Sequence, residues 1–101
     1  MTMLHTVNKS PFEKDALASC LRCSKDGSVI LLLEDGVYGA TKGTKVSDMV
    51  KDAMSSKTIY ALQPDLESRG VADKVIDGIK LVDYAGFVDL VAENDTVQSW
   101  L

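Results

Sequence analysis

The chain has 101 residues, of which 46% are hydrophobic and 26% are charged, a composition typical of a folded globular protein. We expect a single domain over residues 1–101, too short to combine a cofactor domain with a separate substrate domain. The 11 basic residues are outnumbered by 15 acidic ones, and the net charge of −4 argues against direct binding to nucleic acid.

The sequence carries no recognisable targeting or membrane segment. Residues 1–9 lack the basic stretch and long apolar run of a secretory signal, so we expect a cytoplasmic protein. The longest apolar run, residues 29–33, is far shorter than the roughly 20 residues that a membrane-spanning helix needs. We therefore expect no membrane partner.

Short apolar runs alternate with helical patterns along the chain, which predicts βα units and a mainly parallel sheet. The first strand is predicted over residues 3–7. A helix is predicted next, because Ser10, Pro11 and Glu13 suit the cap, first and third positions of a helix start. We expect this helix to begin at Ser10 and to end near Lys25.

The second predicted strand, residues 28–33, is almost continuously apolar and is expected at the centre of the sheet, buried on both faces. A turn or short helix follows, and then a helix carrying Val46, Met49, Val50 and Ala53. A strand is predicted over residues 58–62, a helical turn closed by Gly70 over residues 64–69, and a strand over residues 79–82. Asp83 is expected to cap a last helix, which carries Tyr84, Phe87, Val88 and Val91 on one side, and the tail over residues 98–101 either adds an edge strand or packs on the core.

Together these elements predict a small three-layer α/β fold of the doubly wound kind, with a mainly parallel sheet of four or five strands. In such folds, ligands and partners meet the carboxyl ends of the strands. The segments expected at those ends are residues 8–9, 34–36, 63–64 and 83–84.

Cys20 and Cys23 form a CxxC motif, a spacing that allows disulfide exchange or joint binding of a metal. Both thiols lie near the predicted end of the first helix, where the helix dipole disfavours a thiolate. Cys20 lies near the middle of the apolar half of this helix, so core packing is its main alternative role. A metal site needs about four ligands, and His5 is the only conventional nitrogen ligand that could join the two cysteine sulfurs. We therefore expect no metal site.

Three further features are given structural interpretations. His5 lies inside a predicted strand and is expected to be a hydrogen-bonded structural residue rather than a general base. The glycines between residues 36 and 43 match no phosphate-binding loop or dinucleotide fingerprint and are assigned to turns. The acidic pair at residues 34–35 is expected in a solvated turn rather than in catalysis.

Five segments, taken in their order and spacing, carry a family resemblance that each alone would not. They are LHTVNKSPF (4–12), LEDGVY (33–38), PDL followed by RG (64–70), VDYAGFV (82–88) and WL (100–101). On these segments the chain resembles the DsrH/TusB family of sulfur-relay subunits over essentially its whole length. The Ser19–Leu21 tripeptide and residues 95–98 are more similar to the DsrH branch, which serves dissimilatory sulfur oxidation, than to the TusB branch, which serves tRNA thiolation.

This resemblance implies a DsrE/F/H-like fold and a heterohexamer with two copies each of three related chains, the other two being DsrE-like and DsrF-like. Such complexes carry sulfur as a cysteine persulfide and exchange it with a DsrC-like carrier, without a cofactor. The principal acceptor cysteine usually lies on the DsrE-type chain. Cys20 matches the cysteine of DsrH-type chains and is the catalytic candidate, whereas Cys23 inherits no role.

The leading hypothesis is therefore a cytoplasmic DsrH-like subunit of a sulfur-relay complex, handling persulfide sulfur in sulfur oxidation. The first alternative is a TusB-like subunit of the relay that makes tRNA 2-thiouridine. Two rivals come from other classes: a stand-alone CxxC thiol oxidoreductase and a purely structural interaction module. In the relay hypotheses the chain is either a sulfurtransferase subunit or mainly architectural, since a role for Cys20 needs an exposed thiol of lowered pKa.

Overall fold

The computed structural model describes residues 3–101. Over this range the strands and helices, in chain order, are β1 (Met3–Val7), α1 (Ala16–Cys23), β2 (Val29–Leu32), α2 (Ser47–Ala53), β3 (Thr58–Leu62), α3 (Gln63–Ser68), β4 (Lys80–Val82), α4 (Tyr84–Glu93) and β5 (Thr96–Trp100). Two short 3-10 helices, Glu34–Ala40 and Ala72–Lys74, join α/β units. No helix within residues 3–101 is long and apolar enough to cross a membrane.

The strands form one parallel sheet in the order β4-β3-β2-β1-β5. The predicted α/β fold with a mainly parallel sheet of four or five strands is therefore confirmed. β2 lies at the centre, as its apolar sequence predicts. β5 pairs with β1 from Met3 opposite Thr96 to Val7 opposite Trp100, so the tail of the sequence adds an edge strand.

Helices cover both faces of the sheet, but unequally. The larger core cluster lies on the face covered by α1, α2 and α3, and Ile30 and Leu32 of β2 belong to it. The smaller cluster lies on the opposite face, where Leu90 of α4 packs with Leu4 and Leu31. Because successive strand residues point to opposite faces, β2 is buried from both sides. The face that carries α4 has much the thinner covering.

The first helix begins at Ala16, so its predicted start at Ser10 is wrong. Residues 10–14 form a turn in which the Ser10 carbonyl accepts the backbone N–H groups three and four residues later, at 3.1 and 3.0 Å. The Ser10 hydroxyl oxygen accepts the N–H of Phe12 at 3.2 Å. These bonds satisfy the groups that a helix cap would satisfy, so the same start signals also fit an isolated turn. The helix ends at Cys23.

The predicted ends of two later helices are confirmed. Asp83 caps α4, because its carboxylate accepts the N–H of Gly86 at 2.9 Å. Gly70 follows α3 with a φ of +69°, in the left-handed region that glycine adopts without strain. Both signals are local in sequence, which explains why they could be recognised without knowledge of the fold.

The glycines assigned to turns have two different structural reasons. Gly43 has a φ of +72°, as expected of a turn glycine. Gly36 and Gly39 instead lie buried in the 3-10 helix after β2, without a positive φ. A Cβ atom at Gly36 would collide with the carbonyl of Val7. Close packing of this segment against β1 therefore requires glycine there, which the sequence-based turn assignment did not anticipate.

Candidate functional site

Cys20, the catalytic candidate, lies on the inner side of α1 with none of its surface exposed. Burial, followed by the neighbouring Cys23, raises the pKa of its thiol to about 12, against a smaller opposing effect of Lys57. At neutral pH such a group is a protonated thiol, which is neither a good nucleophile nor a metal ligand. In the single chain, this position fits core packing better than sulfur chemistry.

Cys23, the second cysteine of the motif, is exposed at the end of α1. Both thiols are free in the structure. The helix thus directs one sulfur into the core and the other to the surface, although only three positions separate them. A CxxC redox couple needs its two sulfurs close enough to form a disulfide, so a Cys20 sulfur in the core and a Cys23 sulfur at the surface argue against the oxidoreductase hypothesis.

A groove of about 450 Å³ opens beside Cys23, between the end of α1 and the β5 edge of the sheet. Its floor is made of alternate residues of two neighbouring strands, among them His5, Gln98 and Trp100. Its wall is the segment of residues 23–28 that leads from α1 to β2. The groove therefore lies on the face of the sheet, not at the carboxyl ends where ligands were expected.

His5 and Trp100 are joined across the floor of this groove. The indole Nε1–H of Trp100 donates to Nδ1 of His5 at 3.0 Å. Only 5% of the His5 surface is exposed, and burial lowers its pKa, with a further lowering by Lys57. The imidazole is therefore neutral at pH 7, and since Nδ1 accepts a hydrogen bond its proton lies on Nε2. The expectation of a hydrogen-bonded histidine is confirmed.

The carboxyl ends of β2 and β3 carry an ion-pair network rather than an open pocket. Nη2 of Arg69 lies 2.9 Å from Oδ1 of Asp35, and Nε of Arg69 donates to the same oxygen at 3.0 Å. The N–H of Glu34 donates to the Asp65 carboxylate at 2.6 Å, and Glu34 has a φ of +50°. Glu34 and Asp35 are exposed, as predicted, but they also tie the chain after β2 to α3.

Two features of the structure were missed in the sequence analysis, the Asp65–Arg69 ion pair and the groove beside Cys23. The spacing of Asp65 and Arg69, four residues apart on a helix, is a recognisable signal for an ion pair, and Nη1 of Arg69 lies 3.9 Å from the Asp65 carboxylate. The groove has no comparable local signal, because Cys23 and Trp100 come together only through the pairing of β5 with β1. Within residues 3–101, no group of three or more His, Cys, Asp or Glu side chains is placed to hold a metal ion.

A family model described as DsrH like protein matches residues 9–97, nearly the whole chain. The chain belongs to the DsrH/TusB family. Two curated relatives are each named Protein TusB, one from Pectobacterium parmentieri, 35% identical over 99 residues, and one from Escherichia coli strain K12, 36% identical over 98 residues. Each comparison covers 97% of this chain and 100% of the relative. The resemblance stated from the sequence is thus confirmed.

Solved structures also share the fold of this DsrH/TusB family member. The crystal structure of the ychN protein from Escherichia coli matches with a TM-score of 0.84, over 98% of both chains and at 16% identity. A protein of unknown function from Methanobacterium thermoautotrophicum matches with a TM-score of 0.72, over 96% of both chains and at 14% identity. At such low identity the likeness concerns the fold alone.

Proposed function

We propose that the chain is a cytoplasmic subunit of the sulfur relay that makes 2-thiouridine in tRNA, the role of the TusB branch. The observation that carries this proposal is the name Protein TusB on relatives that are 35% to 36% identical and matched over their full length. This choice reverses the order of the two relay hypotheses, because similarity over the whole chain weighs more than the few residues that favoured the DsrH branch.

Sulfur oxidation is the second candidate, supported by the description of the matching family model as DsrH like protein. Deletion of the gene in its own host separates the two functions. We expect the 2-thiouridine content of tRNA, measured by mass spectrometry of nucleosides, to fall while sulfur oxidation continues, and a plasmid copy to restore it. Loss of sulfur oxidation with intact 2-thiouridine would instead establish the second candidate, and two unchanged readouts would overturn both.

The exposed side of α4 supports a role as one subunit of a larger assembly. Tyr84, Val88 and Val91 share this side, with 58%, 66% and 42% of their surfaces exposed. They lie over the smaller core cluster, on the face of the sheet with the thinner covering. Large apolar side chains grouped on one helix are typical of an interaction surface. We assign this surface to the companion chains of the proposed heterohexamer, DsrE-like and DsrF-like, which exchange sulfur with a DsrC-like carrier.

Coexpression of the chain with its DsrE-like and DsrF-like companions tests this assignment. We expect one assembly on size-exclusion chromatography, and we expect Val88→Asp to release the chain from it. Ser55→Asp is the matched control, because it adds the same charge at an exposed position that follows α2, on the opposite face of the sheet. An assembly that tolerates Val88→Asp as well as the control does would contradict the α4 interface.

A role for Cys20 as a sulfur acceptor would be open to it only in the assembled complex. Its thiolate would attack the outer sulfur of a donor persulfide, and the donor thiolate would leave with the electron pair of the broken S–S bond. This step requires the complex to expose Sγ, which the single chain buries completely. An architectural role needs no such movement and is the form of the proposal that the geometry favours.

Mass spectrometry of the native complex after exposure to a persulfide donor distinguishes these two roles. Each transferred sulfur adds ~32 Da to a cysteine peptide. We expect the addition on the DsrE-like companion and not on the peptide that contains Cys20. Additions found on Cys20 would establish it as a carrier and would contradict the architectural role.

A further inference from the structure

We propose that His5 and Trp100 form an acid-sensitive latch, which holds the edge strand β5 on the sheet while the imidazole is neutral and releases it when the imidazole is protonated. In the released state the other four strands stay folded. Three observations carry this inference: the chemistry of the His5–Trp100 hydrogen bond, the weak attachment of β5, and the charged groups around His5. The latch is a property of the fold and does not depend on the relay function.

The hydrogen bond between the two side chains requires a neutral imidazole. The indole Nε1–H of Trp100 can only donate, and it donates to Nδ1 of His5 at 3.0 Å. A protonated imidazole carries a hydrogen on each ring nitrogen and accepts no hydrogen bond, so no rotation of the ring restores the contact. Uptake of a proton from solvent at Nδ1 therefore replaces a hydrogen bond with two donors that face each other.

The strand that carries Trp100 is weakly attached to the rest of the fold. β5 has a neighbouring strand on one side only, and four of its five residues are exposed. Trp100 is the exception, because it is half-buried and packs against the larger core cluster. A second side-chain hydrogen bond, from Oγ1 of Thr6 to Oγ of Ser99 at 3.3 Å, also joins β5 to β1. Segments with few buried apolar contacts open at a lower free energy than the core, so loss of the Trp100 contact should release β5 first.

The groups around His5 favour its neutral form in the latched state. The neighbouring strands β2 and β5 contribute no ionisable side chain. The titratable groups around the imidazole are the thiols of Cys20 and Cys23 in α1, Lys25 and Asp26 after α1, and Lys57 before β3. Asp26 favours the imidazolium and the two lysines oppose it. Burial, followed by Lys57, holds the pKa of His5 below the ordinary 6.5, so the latch is closed at pH 7.

Hydrogen exchange of the full-length chain, followed by mass spectrometry, tests the latch. The released state takes up the proton more readily than the latched state, so opening of β5 should increase as pH falls below 6.5, by up to about tenfold per pH unit, until the lower pKa of the latched state is reached. After correction for the intrinsic pH dependence of exchange, we expect residues 96–100 to lose protection while residues 58–62 in β3 remain protected. Loss of protection in both strands at the same pH would indicate global unfolding and would overturn the proposal.

Three variants assign the pH response to the latch. His5→Asn keeps an acceptor near the position of Nδ1 but takes up no proton, so the corrected exchange of β5 should no longer depend on pH. Ser99→Ala, the matched control, removes the other side-chain bond and should increase exchange at every pH while it keeps the pH response. Trp100→Phe removes the donor, so β5 should open more readily at neutral pH and respond to acid less than in the wild type. A wild-type pH response in His5→Asn or, where that variant does not fold, in Trp100→Phe would overturn the proposal.

Discussion

Trp100 of β5 donates its indole N–H to Nδ1 of His5 in β1 at 3.0 Å, and this bond fastens the edge strand to its neighbour through side chains as well as backbone. Both residues lie on the floor of the groove beside Cys23. The bond also fixes the tautomer of the neutral His5 ring, with Nδ1 as acceptor and the proton on Nε2.

Trp100→Phe tests the energetic contribution of this bond. We expect the free energy of unfolding to fall by about 1–3 kcal/mol, because the substitution leaves a buried imidazole nitrogen without its donor. Urea unfolding followed by circular dichroism measures the change without tryptophan fluorescence. Tyr84→Phe, which removes the hydroxyl of an exposed aromatic side chain, is the control and should leave stability unchanged. Equal stability of the two variants would contradict an energetic role for the bond.

The stability of the protein should depend on pH through His5, the only histidine. Burial, reinforced by Lys57, holds its pKa below the ordinary 6.5 in the folded state. The unfolded chain therefore binds the proton more readily, so stability is constant above pH 6.5 and falls as pH drops toward the lower pKa of the folded state. Urea midpoints across this range should show the loss, and His5→Asn should remove it. Parallel pH profiles of wild type and variant would contradict this origin.

The two cysteines should respond differently to the same substitution. Cys20→Ser places a hydroxyl in the core and should lower the free energy of unfolding by about 1–3 kcal/mol, whereas the exposed Cys23→Ser should leave it unchanged. In the assembled complex we expect at most a partial loss of sulfur transfer from Cys20→Ser, after the rate is normalised to folded complex. We expect a rate close to wild type from Cys23→Ser. A complete loss from Cys23→Ser alone would contradict this separation of roles.

The Arg69–Asp35 ion pair should contribute more to the free energy of unfolding than the exposed Lys42–Asp77 pair does. The guanidinium of Arg69 contacts Asp35 through two nitrogens, and the Arg69 side chain is only 24% exposed. We expect Arg69→Ala to cost about 1–2 kcal/mol in urea unfolding, mostly from the lost charged hydrogen bonds. Lys42→Ala is the control, because Lys42 pairs at 3.7 Å with a fully exposed Asp77, and solvent screening should leave this pair without a measurable contribution. Similar losses from both variants would contradict a special role for the network.

The fold could be predicted largely from local signals. The β3 strand was predicted at its observed bounds, residues 58–62, because β-branched and aromatic residues stand between two clear breaks. The Asp83 cap was recognised for the same reason, since cap and helix are adjacent in sequence. The start of α1 was mispredicted because the hydrogen bonds made by Ser10 are common to a helix start and to an isolated turn.

The candidate site could be predicted less well, because it depends on contacts between distant residues. Helical periodicity placed Cys20 on the apolar side of α1, but it did not distinguish the exposure of Cys23. The groove depends on β5 pairing with β1 rather than joining the other edge of the sheet at β4. No local pattern specifies that choice, so neither the His5–Trp100 bond nor the groove was foreseen.

The pairing of β5 with β1 also has a consequence for how the protein folds as it is synthesised. Leu4 pairs with Val97, so the backbone groups along this side of β1 find their partners only after residues 96–100 have left the ribosome. Until then the nascent chain presents an open, hydrogen-bonding strand edge next to its central strands, a feature that favours aggregation and binding by chaperones. Slow translation of the last codons for this strand should therefore lower the yield of soluble protein more than slow translation earlier in the gene.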